Sequence, residues 1–107
     1  MKLALVSTLA FLTGAVSPAF AEAADSGVGA RLVHDTCATC HAVGADPDAK
    51  SPDPKAPRFL DVAKMPSATE LSIKVFLRSS HKHMPNFILT PEEIDGVAAY
   101  ILGLGKK

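Results

Sequence analysis

The sequence predicts an all-α domain, and three observations carry that prediction. No segment alternates polar and apolar residues long enough to make a strand. Thr90-Pro91-Glu92-Glu93 opens a run whose apolar residues recur at helical spacing, and shorter runs near residues 25 and 67 repeat the pattern. With 107 residues, 48% of them hydrophobic, the chain holds at most one small domain and is too apolar to be disordered. Its formal net charge of zero gives no basic excess for binding nucleic acid.

Residues 1–21 do not belong to that domain. Met1-Lys2 is a short positive start, residues 3–16 form an apolar run, and Ser17-Pro18 breaks it before Ala19-Phe20-Ala21. That is the pattern of a secretory signal, with cleavage expected before Glu22. The run falls short of the roughly 20 residues a bilayer requires, so no membrane span is expected after cleavage. The mature chain of residues 22–107 would carry net charge −1 and be exported.

Within the mature chain, residues 25–36 read as the first helix. Asp25 or Ser26 is the expected cap, with Val28, Leu32 and Thr36 on one face beside Gly29 and Val33. Residues 42–66 contain five prolines and read as a long loop, with a short helical turn near residues 59–63. So long a loop in so small a domain is usually functional. Ser67-Ala68-Thr69-Glu70 reads as a capping box. A helix is expected from there to about residue 79, with Leu71, Val75 and Phe76 inward. After a loop over residues 80–89, the last helix has a threonine cap, proline at its first position and acidic residues in its first turn. Ile94, Val97, Ala98, Ile101 and Leu102 follow the i, i+3, i+4, i+7, i+8 template, and Gly103 and Gly105 end the helix.

A core built from a mature chain this short is marginal without a staple. The two cysteines do not supply a long-range one, since Cys37 and Cys40 lie three residues apart in Cys37-Ala38-Thr39-Cys40-His41. This is the C-x-x-C-H pattern of covalent haem attachment. Thiols at i and i+3 on one turn can add to two vinyl groups on one porphyrin edge, and the adjoining histidine is then held beneath the ring. Export fits, because haem is joined to such chains outside the cytoplasm. A thioredoxin-like dithiol would need a βαβ context that is missing. A zinc site would have to draw on His34, His81 and His83 in place of a second cysteine pair.

The candidates for a sixth iron ligand are Met65, His81, His83 and Met84. Met65 lies where the chain must already turn into a helix, while Met84 sits mid-loop and is free to reach the ring. A thioether also suits an electron carrier, because Met/His ligation raises the reduction potential. Met65 otherwise reads as core filler, and the histidines as solvated surface.

These features resemble the class I c-type cytochromes, the small monohaem proteins of bacterial periplasms. The resemblance runs over nearly all of residues 25–105. It rests on the attachment motif near the mature N-terminus, on Met84-Pro85-Asn86-Phe87, and on Val97-Ala98-Ala99-Tyr100-Ile101. It implies a small cytochrome c fold of three to four helices around one haem c, joined through Cys37 and Cys40, with His41 and Met84 as metal ligands. Gly29 matches the glycine at which the first and last helices cross, and Tyr100 the aromatic at that crossing. Pro57 resembles the proline whose carbonyl accepts the Nδ1 proton of the axial histidine. Two departures stand out. Val33 occupies a position where an aromatic is often found. With no Trp and one Tyr, the usual aromatic donors to the haem propionates are mostly missing, leaving Arg58, Lys64 and Asn86 as replacements.

The function that follows is that of a periplasmic one-electron carrier, not an enzyme, acting as a monomer on redox partner proteins. Residues 50–82 carry net charge +4, against −4 for residues 22–49, which predicts steering toward an acidic partner face. The rival functions are a haem subunit of a periplasmic dehydrogenase or oxidase complex, and a haem peroxidase or gas sensor with a labile methionine ligand.

Overall fold

Four α-helices and one short 3₁₀ turn make up the described residues, with no strand among them: α1 (Val28–Asp35), the 3₁₀ turn (Cys37–Thr39), α2 (Phe59–Lys64), α3 (Glu70–Leu77) and α4 (Pro91–Leu104). The computed structural model describes residues 10, 14, 15 and 27–106. The signal segment expected over residues 1–21 therefore lies outside the described residues, apart from three isolated positions.

α4 is the axis of the fold because its ends are well specified. The Thr90 hydroxyl accepts from the Glu93 backbone N–H at 3.2 Å, and the Glu93 carboxylate accepts from the Thr90 N–H at 2.7 Å. This reciprocal pair satisfies two of the donors that a helix start leaves open. Ile94, Val97, Ala98, Ile101 and Leu104 form the buried face, and Gly105 caps the C-terminus.

α1 packs across α4 at unusually short range. A methyl group built on Gly29 would lie 2.2 Å from the carbonyl carbon of Gly96 and 2.4 Å from its Cα. No glycine among the described residues has a positive φ, so these two serve close approach and not a turn. Around the crossing, Val33, Val97 and Ala98 are almost wholly excluded from solvent. The buried set of α1 is accordingly Gly29, Ala30 and Val33, while Val28, Leu32 and Thr36 are only partly covered. The helix starts at Val28 behind Gly27, which has no side chain to cap it; Asp25 and Ser26 lie outside the described residues. Tyr100 secures the same region by donating from its hydroxyl to the Val43 carbonyl at 2.8 Å, and the His34 ring stands edge-on to it at 5.7 Å.

α3 differs from the expectation in its start and in its inward face. Its cap is Thr69, not Ser67: the Thr69 hydroxyl accepts from the Ser72 N–H at 3.1 Å, and the Ser72 hydroxyl accepts from the Thr69 N–H at 2.9 Å. Ser67 is held in the turn before the helix, which closes through Ala68 N–H to the Met65 carbonyl at 3.0 Å. Glu70 is thereby released to pair with Lys74 at 2.5 Å, and Lys74 also reaches Asp95 of α4 at 2.8 Å. Ile73 is buried in the core with Leu77 packed beside it, and the Lys74–Asp95 pair lies at the exposed edge of that contact with α4. Leu71 and Val75 are 72% and 54% exposed, contrary to the inward face expected for them, while Phe76 faces the cavity described below.

The helices gather into one core of Val33, Phe59, Leu60, Ile73, Val97, Ala98, Ile101 and Leu104. It sits to one side of the molecule. The loops over residues 36–58 and 78–90 close around the other side.

Candidate functional site

The attachment motif begins where α1 stops. The Cys37 carbonyl accepts from both the Cys40 and His41 N–H groups, at 3.2 and 2.9 Å, which winds the chain into a tight turn. Cys37, Cys40 and His41 thus emerge from a single turn of backbone. Both thiols are free and half-buried. Burial pushes the Cys37 thiol above the ordinary range, with a backbone hydrogen bond pulling weakly the other way. It stays protonated at neutral pH.

His41 is held more firmly than its partial exposure suggests. Its Nδ1 lies 2.6 Å from the Pro57 carbonyl oxygen. A carbonyl only accepts, so Nδ1 carries the proton and Nε2 is left with the lone pair. The Phe59 ring lies against the imidazole at 4.9 Å. The backbone on either side is pinned as well. The Cys40 carbonyl accepts from Asp53 N–H at 3.0 Å, Ala42 N–H donates to the Ser51 hydroxyl at 3.0 Å, and the Ala42 carbonyl accepts from Phe59 N–H at 2.9 Å.

Next to this turn lies a cavity of about 660 Å³, within the usual range for ligand sites. Cys37, Cys40, His41, Pro57, Met65 and Met84 all line it. The remaining wall is largely apolar, with Phe59, Ile73, Phe76, Phe87, Val97 and Ile101 among its residues. The structure therefore brings the two cysteines, His41, Pro57 and both candidate methionines to one cavity. His81 and His83 do not reach this cavity but line a smaller neighbouring hollow with Met84, Lys55 and Lys82. His81 is tied down instead: its ring stacks on Phe76 at 3.5 Å, and its Nε2 lies 2.5 Å from the Phe76 carbonyl.

Arg58, Lys64 and Asn86, the candidate propionate donors, are not among the residues of the large cavity. Arg58 is engaged with Asp61, Pro47 and Ala49, and Asn86 with the Ser80 hydroxyl. Among the described residues no three His, Cys, Asp or Glu side chains cluster as a metal site requires, so the zinc alternative finds no ligand set. Nor is any helix among them long and apolar enough to cross a membrane.

Sequence reading missed Gly96, the partner of Gly29, although a signal was present. A glycine in the middle of a well-formed helix costs about 1 kcal/mol relative to alanine and calls for a packing reason. It also missed the hydrogen bonds from Asp53, Ser51 and Phe59 that brace His41, because only the folded loop brings those groups together.

The donor set and cavity fit a covalently held haem. Two thiols leave one turn, an imidazole keeps Nε2 free, a thioether lines the same space, and the wall is apolar. Comparison with known proteins agrees. The cytochrome c family model matches residues 28–105. Cytochrome c-552 of Bradyrhizobium diazoefficiens is 38% identical over 101 residues, covering 94% of this chain and 95% of its own. Cytochrome c6 of Anabaena variabilis is 35% identical over 82 residues, covering 75% of this chain and 92% of its own. No solved structure matches significantly. A family match that runs from α1 through the end of α4, and a relative aligned along nearly its whole length, establish that this chain belongs to the cytochrome c family.

Proposed function

We propose that this protein is an exported one-electron carrier with a single haem c, and that His41 and Met84 are its axial ligands. The observation that carries the reading is the convergence of Cys37, Cys40, His41 and Met84 on one apolar cavity. The names of the two relatives, both cytochromes, support it. Haem, when bound, supplies the Fe(III)/Fe(II) couple. The chain's own residues do the rest. Cys37 and Cys40 would hold the haem through thioether bonds, each thiol adding across one vinyl double bond with its sulfur on one carbon and its proton on the other, which would need no oxidant. His41 offers Nε2 because Pro57 holds the Nδ1 proton. Met84 is favoured over Met65 as the second ligand because it sits mid-loop between α3 and α4, whereas Met65 is tied to the end of α2 as its C-terminal cap residue. The apolar wall excludes water, and Met/His ligation raises the potential.

Residues 1–21 act as the export signal, and the mature domain over residues 22–107 works in the periplasm as a monomer. It makes no bond in a substrate. Lys55 and Lys82 beside Met84 lie within the positive middle segment, which supports docking on an acidic partner face. With an isolated partner, transfer should slow as ionic strength rises; a rate indifferent to salt removes the steering. The reading as a whole is tested by exposing the reduced protein to carbon monoxide at neutral pH. A Met84-ligated iron excludes the gas. Ready binding would move the protein to the sensor or peroxidase class.

A second reading, a dedicated haem subunit of a periplasmic dehydrogenase or oxidase complex, is favoured by one observation. Leu71 and Val75 lie one turn apart on the exposed side of α3, at 72% and 54% exposure. Co-purification of a stable larger assembly from the native periplasm would establish it.

A further inference from the structure

We infer that Arg58 is a positioning residue for His41, acting through the loop that carries Pro57; the inference rests on the haem reading above. Arg58 follows Pro57 directly and is the cap residue of α2. Its guanidinium makes two sets of contacts at once. Nε and Nη2 grip the two carboxylate oxygens of Asp61 at 2.8 and 2.7 Å, which fixes the side chain against its own helix. Nη1 turns the other way, donating to the Pro47 carbonyl and lying 3.4 Å from that of Ala49. Arg58 thus ties the far side of the 42–57 loop to the start of α2.

That loop is otherwise held by local turns and by bonds near its two ends, from Tyr100 to the Val43 carbonyl, from Ala42 N–H to the Ser51 hydroxyl and from Asp53 N–H to the Cys40 carbonyl. Arg58, by contrast, joins residues 47 and 49 to α2. The loop contains four prolines, which remove backbone donors, and no regular element. Yet every group that braces His41 comes from its second half or from the residues just after it: Ser51, Asp53, Pro57 and Phe59. Anchoring residues 47 and 49 holds the loop closed over the histidine and keeps the Pro57 carbonyl at 2.6 Å from Nδ1. A carbonyl on the Nδ1 proton increases the basicity of the ring and so favours the oxidised iron. Loosening that bond should raise the reduction potential. Lysine cannot replace arginine here, because a single ammonium cannot serve a bidentate carboxylate and two carbonyls on the opposite side together.

The test uses the haem-loaded protein and the variants Arg58→Lys, which keeps the charge and loses the fork, and Lys74→Gln, which breaks ion pairs far from the loop. Two quantities are read: the midpoint potential, and the exchange rate of the His41 Nδ1 proton followed by NMR in the reduced state. Arg58→Lys should shift the one-electron equilibrium about threefold toward the reduced form, about 28 mV at 59 mV per tenfold. It should also speed Nδ1–H exchange about tenfold, while Lys74→Gln moves neither. If Arg58→Lys leaves both at wild-type values, or if Lys74→Gln moves them equally, Arg58 is only structural and the inference is overturned. A wild-type protein that takes up no covalent haem overturns the functional reading and this inference with it. An indifferent Arg58→Lys in a haem-loaded wild type overturns this inference alone.

Discussion

Gly29→Ala sets two well-defined effects against each other. Alanine is the better helix former by about 1 kcal/mol, so propensity alone predicts stabilisation. The new methyl, however, would sit 2.2 Å from the Gly96 carbonyl carbon, 2.4 Å from its Cα and 2.6 Å from its oxygen. All three are backbone atoms, which no rotamer change can move aside. Reaching ordinary van der Waals distance requires α1 and α4 to part by more than 1 Å. A gap of about 0.5–1 Å already removes a quarter to a half of a packing contact's energy. The side chains that lose it are Val33, Val97 and Ala98, all almost fully buried. With about 1.5–3 kcal/mol for burying each valine, the loss is about 1–2.5 kcal/mol. Overpacking strain adds about 1–3 kcal/mol. After the propensity gain is subtracted, the net destabilisation is about 1–4.5 kcal/mol. This is a large share of the roughly 4–12 kcal/mol that a domain of about 80 residues has in total. Denaturant unfolding followed by circular dichroism measures it. Gly103→Ala is the internal control, because Gly103 lies in the same α4 helix and a methyl built there meets nothing within 4 Å. It should be neutral or stabilising by up to about 1 kcal/mol. A Gly29→Ala variant as stable as Gly103→Ala would refute the close crossing.

Two other predictions concern the helix ends and loops. Thr90→Ala removes the hydroxyl that receives the Glu93 N–H and should cost about 1 kcal/mol in the same unfolding assay, while Glu92→Ala, outside the box, should cost less. The bond from the Arg58 guanidinium holds the Asp61 carboxyl below the usual carboxylate range. A depressed native pKa gives stability that is complete above the unfolded value, about 4, and is lost as pH falls through the lower native one. The stability difference between wild type and Asp61→Asn should therefore be level from neutral pH down to about 4 and shrink below it. A difference that widens on acidification would contradict the pairing.

How far the fold was legible in the sequence depended on how many local signals agreed. The start and register of α4 were read correctly because cap, first-turn proline, acids and apolar spacing all agreed. Its end was not: Gly103 lies inside the helix, which stops at Leu104, and Leu104 is buried where Leu102 is only partly covered. α3 was misread, because two overlapping frames compete at its start: Ser67 with Glu70, and Thr69 with Ser72. The turn closed by Ala68 N–H and the Met65 carbonyl takes Ser67 out of contention, a local choice between two overlapping caps. Its inward face was misread for a different reason. Counting apolar residues favours Leu71 and Val75, whereas Ile73 and Leu77 are the ones that meet the core, whose residues on α4 lie far along the chain. At the site, Cys37, Cys40 and His41 stood out because haem attachment constrains residue type and spacing, whereas Pro57 came from the family resemblance and Met84 from its place in a loop; the structure sets all five around one cavity. The loop bonds bracing His41 were not legible, since backbone donors and acceptors carry no sequence signature.

The central claim, that His41 and Met84 hold the iron of a haem joined through Cys37 and Cys40, is tested most directly by visible spectra. The haem-loaded mature protein would be compared, oxidised and reduced, with its Met84→Ala variant. Sulfur–iron ligation predicts a weak far-red band in the oxidised wild type that disappears in the variant, with covalent haem retained in both. Covalent haem without that band in the wild type, or a band that survives Met84→Ala, would contradict the assigned ligand pair.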